Sequence, residues 1–284
     1  VNIRLTLQKM KSKETDNPKA SERDPPSLRG EYLTNVLKNM EFGPVFWVQE
    51  TGSTNSDLLE KSSSNSSGGM VIIADFQTSG RGRRDRRWVA EPEKALLMSV
   101  SFIADSAKVN LGVFASGMAI ASCEAIKSLG FDKVQIKWPN DLVISNSGSQ
   151  EKLAGVLAQS KILKNRASVV VGIGVNVHSS NIKEVVLERG VVTLSDLGTP
   201  PDRVELAETI LSILAGLDFE NPNFWERYRS HSATIGQVVR VSTEREILEG
   251  IAKDVTDTGS LLIEDKQGIM YEVTSGDLVS LRPL

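Results

Sequence analysis

The sequence predicts an α+β fold, a mixed β-sheet layered with helices and followed by a small C-terminal β-barrel. Three observations carry that prediction. Runs rich in β-branched and aliphatic residues stand at 70–76, 96–102, 134–138 and 167–177. Between them run helical stripes, the longest formed by Leu111, Phe114, Ala115, Met118, Ser122 and Ile126. After Ile235 the texture changes to short strands separated by turn signals such as DTG and KQG.

Taken in order, residues 1–27 hold ten charged side chains and three prolines with little apolar material, and are expected to form a mobile tail. Folding is expected to start near Leu28, where Tyr32, Leu33, Val36 and Leu37 recur at helical spacing. Residues 42–48 read as a strand entering a turn at 51–55, where Ser53 or Thr54 can cap a short helix over 57–61. The SSSNSSGG run at 62–69 reads as a loop. Residues 141–145 and 153–161 bracket a polar NSGSQ turn, as the arms of a hairpin would. Val204, Ala207, Ile210, Leu211, Leu214 and Leu217 form one stripe of a helix over 204–219. Short strands are expected at 238–242, 248–255, 260–264, 270–273 and 278–281.

Composition narrows the function classes. Hydrophobic residues at 40% and charged residues at 24% are ordinary for a globular chain of 284 residues and disfavour disordered, collagen-like and coiled-coil classes. The single cysteine, Cys123, cannot form an internal disulfide, and with only two histidines in the chain soft ligands are too few for a structural zinc site. Cys123 falls on the core face of the long helical stripe, where it reads as inert, and His178 reads as incidental. The sequence has no apolar run approaching a membrane span or a signal peptide, so no membrane partner and a cytoplasmic setting are expected. A net charge of −3 argues against a protein that coats nucleic acid. Yet residues 81–87 hold five arginines against one aspartate, a local +4 that leaves −7 on the rest of the chain.

That loop follows a strand. Gly80 and Gly82 allow close backbone approach, and the guanidinium forks around them suit phosphate or carboxylate oxygens, so an anion is the expected guest. A solvated basic loop or a nucleic-acid patch fits the same residues. Lys137, Asn140 and Asp141 in KWPND place a cation, an amide and a carboxylate at a strand end that Pro139 terminates. Lys152 opens the second arm of the hairpin just beyond, a position at which a lysine is commonly solvent-exposed.

Together these segments resemble the biotin protein ligases. The motifs that carry the resemblance are ETGSTN at 50–55, QTSGRGRRDRRW at 77–88, KWPNDL at 137–142, KLAGVL at 152–157, VGIGVNV at 171–177 and GDLVSLR at 276–282. The resemblance implies a catalytic domain over 28–233 related to class II aminoacyl-tRNA synthetases, and an SH3-like domain over 234–284. It implies ATP and biotin as substrates, Mg²⁺ with the nucleotide and no metal site of the protein's own. The implied activity is that of a biotin–[biotin carboxyl-carrier protein] ligase, with a biotin carboxyl carrier protein as partner and a monomer or homodimer as the working form.

Residue by residue, the resemblance assigns Ser53, Thr54, Asn55 and Gln77 to the biotin pocket, with Arg81, Gly82 and Arg83 on the loop that closes over the ligand. Trp88 matches an apolar wall, although a core tryptophan fits as well. Lys152 matches the lysine that bridges the biotin carboxylate and the α-phosphate. Arg83, Arg84, Arg86, Lys137, Asn140 and Asn176 match the nucleotide side, and Asp141 matches a residue that orients the incoming lysine amine; Lys152, Arg83 and Asp141 form the implied catalytic set. Asp85 departs from the family, many of whose members carry glycine there, and aspartate tolerates a positive φ less well than glycine. A lipoate ligase would need an arginine-rich segment leading into a run of glycines, which the sequence lacks. A repressor would need a winged helix, for which residues 1–27 are too short and too mixed in charge, so no specific DNA binding is expected.

Overall fold

The computed structural model describes residues 19–40, 42–64, 68–84, 86–107, 109–146, 149–179, 190–243 and 246–280, without the side chains of 63, 64 and 280. Asp85 and the end of the last motif lie outside the described residues, as does most of the expected tail. The elements run α1 (Pro26–Leu37), β1 (Val45–Thr51), α2 (Thr54–Ser64), β2 (Val71–Gln77), β3 (Ala95–Asp105), α3 (Leu111–Ser128), β4 (Val134–Lys137), β5 (Asp141–Asn146), β6 (Ser149–Leu163), β7 (Arg166–Asn176), α4 (Leu194–Leu197), α5 (Arg203–Ala215), α6 (Asn223–Ser230) and then β8 (Val238–Ser242), β9 (Ile247–Val255), β10 (Leu261–Glu264), β11 (Met270–Val273) and β12 (Asp277–Ser280).

The first seven strands form one mixed sheet in the order β1-β2-β3-β7-β6-β5-β4. Only β1 and β2 pair in parallel, because α2 carries the chain back across the sheet between them. Period-two alternation divides the sheet into two faces. Ile73, Leu96, Met98, Val171, Ile173 and Val175 point into the main core under α1, α3 and α5. The opposite face carries α2, where Leu58 packs with Met70, Ile72 and Val170. Helix α3 starts where Asn110 accepts the Gly112 N–H at 2.9 Å, and α5 where Asp202 accepts the Val204 N–H at 2.8 Å. None of the described helices is long and apolar enough to cross a membrane.

The last five strands form a separate antiparallel sheet in the order β11-β10-β9-β8-β12. It is fastened to the turn between β4 and β5, where Trp138 Nε1 donates to the Gly259 carbonyl at 3.0 Å and the Trp138 N–H to Thr234 Oγ1 at 3.0 Å. The strand predictions hold to within a few residues. Two short helices escape the sequence reading, α4 and α6, each too brief to show a repeated apolar period.

Residues 19–27 correct the expected tail. Helix α1 begins at Pro26, and Glu22 Oε2 accepts from the Nε of Arg203 at 3.2 Å. Arg203 and Arg29 both reach the Asp75 carboxylate, at 2.9 and 2.8 Å, and Trp47 Nε1 donates to it at 3.0 Å. Arg29, Asp75 and Arg203 are all buried. A charged segment that finds buried partners need not supply apolar area of its own to be ordered.

Candidate active site

The candidate site lies on the α2 face of the large sheet, and strand register explains its shape. Gly172 of β7 is opposite Ser99 of β3 and Leu157 of β6, and Gly174 is opposite Leu97 and Gly155. Three glycines therefore meet on one face of neighbouring strands, leaving a depression that side chains from outside the sheet fill. A Cβ on Gly172 would lie 2.2 Å from Asn55 Oδ1, and one on Gly174 would lie 2.5 Å from Trp88 Cε2. The GIG motif is a packing requirement: only bare backbone admits Asn55 and Trp88.

One wall is the start of α2. Ser53, Thr54 and Asn55 are buried. Gln77 Oε1 accepts from the Thr54 N–H at 2.8 Å and from its hydroxyl at 3.0 Å, so this glutamine does the work of a helix cap. Asn55 Nδ2 donates to the Leu157 carbonyl at 3.1 Å and to Gln159 Oε1 at 2.9 Å. The Ser99 hydroxyl lies 2.7 Å from both Thr54 Oγ1 and Asn55 Oδ1. Ser99 and Gln159 belong to none of the sequence motifs, and alternation along β3 and β6 toward the glycine face is the signal that finds them.

Opposite stands the arginine loop, a tight hairpin closed by Trp88 N–H to Gly80 O at 3.0 Å and Gly82 N–H to Arg86 O at 2.7 Å. A Cβ on Gly80 would sit 2.5 Å from the Trp88 carbonyl, which accounts for that glycine. The loop borders an open cavity of about 640 Å³ that Leu157 and Gln159 also line. Arg83 is half-buried and donates to Asn140 Oδ1 at 3.3 Å. Burial and the neighbouring charge of Arg84 pull its guanidinium below the ordinary value, with Asp277 and Asp141 pulling back. Arg84 and Arg86 reach Asp277 of β12, at 3.0 and 2.6 Å.

Between the two walls sits Lys152, its Nζ 2.7 Å from Asp141 Oδ1 and 5.7 Å from the centre of the Trp88 ring. Lys152 and Gly155 are three residues apart, an odd spacing that would put them on opposite faces of a regular strand. The register between β5 and β6 slips at Leu142/Val143, so that Asp141 opposes Gly155 while Val143 opposes Lys152. This bulge buries Leu153 and Ala154 in succession and swings Lys152 onto the glycine face, where its Nζ would be 3.0 Å from a Cβ on Gly155. The lysine backbone is pinned as well, through its N–H to Gly190 O at 2.8 Å and its carbonyl to the Val192 N–H at 3.0 Å.

The remaining sequence candidates fall around this centre. Asn140 Nδ2 donates to the Val156 carbonyl at 2.8 Å, and Val156 N–H returns a bond to the Asn140 carbonyl at 2.8 Å. Asn176 ends β7 and donates to the Lys152 and Val192 carbonyls, both at 3.4 Å, so in this structure it braces the lysine strand. Lys137 stands opposite Asp141 in the β4–β5 pair. His178 is outside the site, 3.5 Å from Glu22. Cys123 is buried in the core with its thiol pushed up to about 12 by desolvation.

Known proteins resemble this chain in sequence and in fold. The Biotin/lipoate A/B protein ligase family pattern matches residues 47–176, and the Biotin protein ligase C terminal domain pattern matches 234–281. A biotin--[acetyl-CoA-carboxylase] ligase of Mycobacterium tuberculosis is 35% identical over 83% of this chain and 88% of its own length. The bifunctional ligase/repressor BirA of Escherichia coli is 30% identical over 87% of this chain and 77% of its length. The solved biotin protein ligase of Aquifex aeolicus in complex with biotin and ATP superposes with a TM-score of 0.69 at 26% identity, covering 84% of this chain and 99% of that one. A glycine-floored polar pocket, an arginine hairpin and a lysine re-aimed between them by a bulge thus coincide with the matched motifs, and the chain belongs to the biotin protein ligase family.

Proposed function

We propose that this chain activates biotin with ATP to biotinyl-5′-AMP and transfers the biotinyl group to one lysine of a biotin carboxyl carrier protein. The observation that carries this reading is Lys152, a cation held at the junction of a neutral polar pocket and an arginine loop. Two anions must meet there. In the first step a carboxylate oxygen of biotin attacks the α-phosphorus and pyrophosphate leaves, a reaction that needs fixed positive charge on both partners. In the second, the carrier amine attacks the acyl carbon, AMP leaves with the bonding electron pair, and the amine gives up a proton.

In this reading Ser53, Thr54, Asn55 and Gln77 bind the ureido ring, whose N–H and C=O groups need partners already desolvated and fixed. Trp88 walls the ring system, and Arg81, Gly82 and Arg83 fold over the ligand. Lys152 touches both the carboxylate and the α-phosphate, while Arg83, Arg84, Arg86, Lys137, Asn140 and Asn176 face the nucleotide. Asp141, freed from Lys152 as the phosphate takes the cation, orients the carrier amine. Mg²⁺ travels on the triphosphate in this reading. The reading includes a cytoplasmic setting and no sequence-specific DNA binding, since the loop arginines serve the nucleotide.

The test is direct. The purified chain with biotin, MgATP and a carrier domain should add one biotinyl group to one carrier lysine, seen by mass, with pyrophosphate released in step. No biotin-dependent pyrophosphate would overturn the reading, and lipoate in place of biotin would redirect it to the other branch of the family. Sequence-specific retention of DNA that biotinyl-AMP strengthens would add a repressor function.

A further inference from the structure

The chain ahead of the first helix closes over a buried charge cluster. Arg29 and Arg203 lie over the Trp47 ring, at 4.6 and 5.8 Å from its centre, and share the Asp75 carboxylate. Two guanidiniums against one carboxylate leave a positive charge in the core, and a buried charge is costly unless it is paired. Residues 21–24 supply the balance. Glu22 Oε2 accepts from Arg203 Nε at 3.2 Å and from the Arg203 N–H at 3.3 Å, and the Asp24 carbonyl accepts from Arg29 Nε at 2.8 Å. Burial opposes the charged form of Glu22, yet Arg203 and His178 hold its carboxyl below the ordinary value. The cluster stands at the feet of the arginine loop. The Asp75 carbonyl accepts the Glu93 N–H at 2.9 Å, which closes the segment carrying Gln77 and the loop arginines. Glu93 itself sits at φ 62, a left-handed backbone that is costly for a non-glycine residue and has to be held by its surroundings. The carbonyl of the next residue, Lys94, accepts the Val177 and His178 N–H groups at 3.1 and 2.9 Å, and His178 Nε2 lies 3.5 Å from Glu22 Oε2.

We propose that Glu22 is a positioning residue for the ligase site: from a strap ahead of the first helix it steadies both feet of the segment that carries Gln77 and the arginine loop. One foot is reached through Arg203 to Asp75, the other through His178 beside Lys94. Asp75 and Gln77 are two residues apart on β2, so a shift of the buried carboxylate is passed along the strand to the glutamine that caps α2. What the loop and the glutamine bind rests on the ligase reading above. What is added is that residues 21–24 are a working part of the site although they do not line its cavities.

Hydrogen exchange of the full chain without ligand reads the two feet directly. Glu22→Gln keeps the shape and removes the charge, and the amides of Glu93, Val177 and His178 should then exchange about tenfold faster than in wild type, with those of β8 and β9 unchanged. His178→Ala, which leaves Arg203 paired, should speed the same three amides about threefold. Lys19→Ala breaks the exposed ion pair of the strap with Glu205 and should leave them at the wild-type rate. In biotin-dependent pyrophosphate release, Glu22→Gln should raise KM for biotin and for ATP about three- to fivefold each, with kcat within about twofold. Ser168→Ala is the stability control, since its buried hydroxyl is bonded to Ser62 away from the pocket, and it should lower the melting temperature without moving either KM. Wild-type exchange in Glu22→Gln, a rise shared by the β8 and β9 amides or matched by Lys19→Ala, or KM values equal to those of Ser168→Ala overturns the proposal. If Glu22→Gln fails to melt cooperatively, unchanged exchange in His178→Ala overturns it instead. Exchange needs no turnover, so a chain that makes no biotinyl-AMP would refute the ligase reading while leaving the strap tested.

Discussion

Asn55 and Arg84 stand at two ends of one site and are held in opposite ways. Asn55 is buried at 5% exposure, with its amide between a main-chain carbonyl, Gln159 and Ser99. Arg84 is exposed and is anchored by an ion pair to another domain. Hydrogen bonds inside the sheet cannot be exchanged without opening the core, whereas an exposed ion pair yields to a better anion. On the reading proposed above, the first kind of wall suits a neutral ring read by shape and polarity, and the second a triphosphate that arrives, reacts and leaves.

Removing the cation between the walls should break the site most. Lys152→Ala is expected to slow biotin-dependent pyrophosphate formation by at least about a hundredfold, roughly 3 kcal/mol of transition-state stabilisation. The side chain is one-third exposed and paired with Asp141, so the melting temperature should move little. Adenylation within about threefold of wild type would return Lys152 to the surface lysine its sequence position first suggests.

Next comes the rigid wall. Gly172→Ala puts a methyl 2.2 Å from Asn55 Oδ1, and Asn55 is fixed on its far side by Leu157 and Gln159. Overpacking of this kind costs about 1–3 kcal/mol, so titration calorimetry should show biotin bound roughly ten- to a hundredfold more weakly. Unchanged affinity would mean that the pocket adapts and that its rigidity is incidental.

On the compliant wall the expected effect is smaller and of another kind. Arg83→Gly removes a half-buried fork whose hydrogen bond to Asn140 is long, at 3.3 Å. Biotin alone should bind as before, while biotinyl-AMP should leave about tenfold faster for want of a charge-assisted bond. Escaped adenylate acylates exposed amines, so the readout is biotin on lysines of an added bystander protein. Labelling confined to the carrier would count against Arg83 as a retaining group.

The contrast also explains what could be read from sequence. Strand positions, the long α3 stripe and the residues inside contiguous motifs were legible, because each is specified by its near neighbours. Ser99, Gln159 and Asp277 were not: their meaning comes from register across β3, β7 and β6 or from a contact between sheets. Lys152 was legible as a residue but not as a direction, since its orientation depends on a one-residue slip between β5 and β6. The order of residues 19–25 was hidden for a related reason, as Glu22 finds its partner 181 positions away at Arg203.

Ser99 offers the finest test of the rigid wall. Its hydroxyl is fully buried and touches both Thr54 and Asn55, yet each keeps other partners, Gln77 for the first and Leu157 with Gln159 for the second. Ser99→Ala should therefore cost one hydrogen bond, about 1 kcal/mol, and raise KM for biotin roughly fivefold with KM for ATP unchanged. Ser168→Ala supplies the control. Ser168 is equally buried and is hydrogen-bonded to Ser62, away from the pocket, so its loss should lower stability by a similar amount and leave both KM values alone. If the two variants melt alike and bind biotin alike, the Ser99 hydroxyl is only part of the core. A biotin defect confined to Ser99→Ala would show that the hydrogen bonds behind Thr54 and Asn55 hold their polar atoms in the geometry the ligand reads.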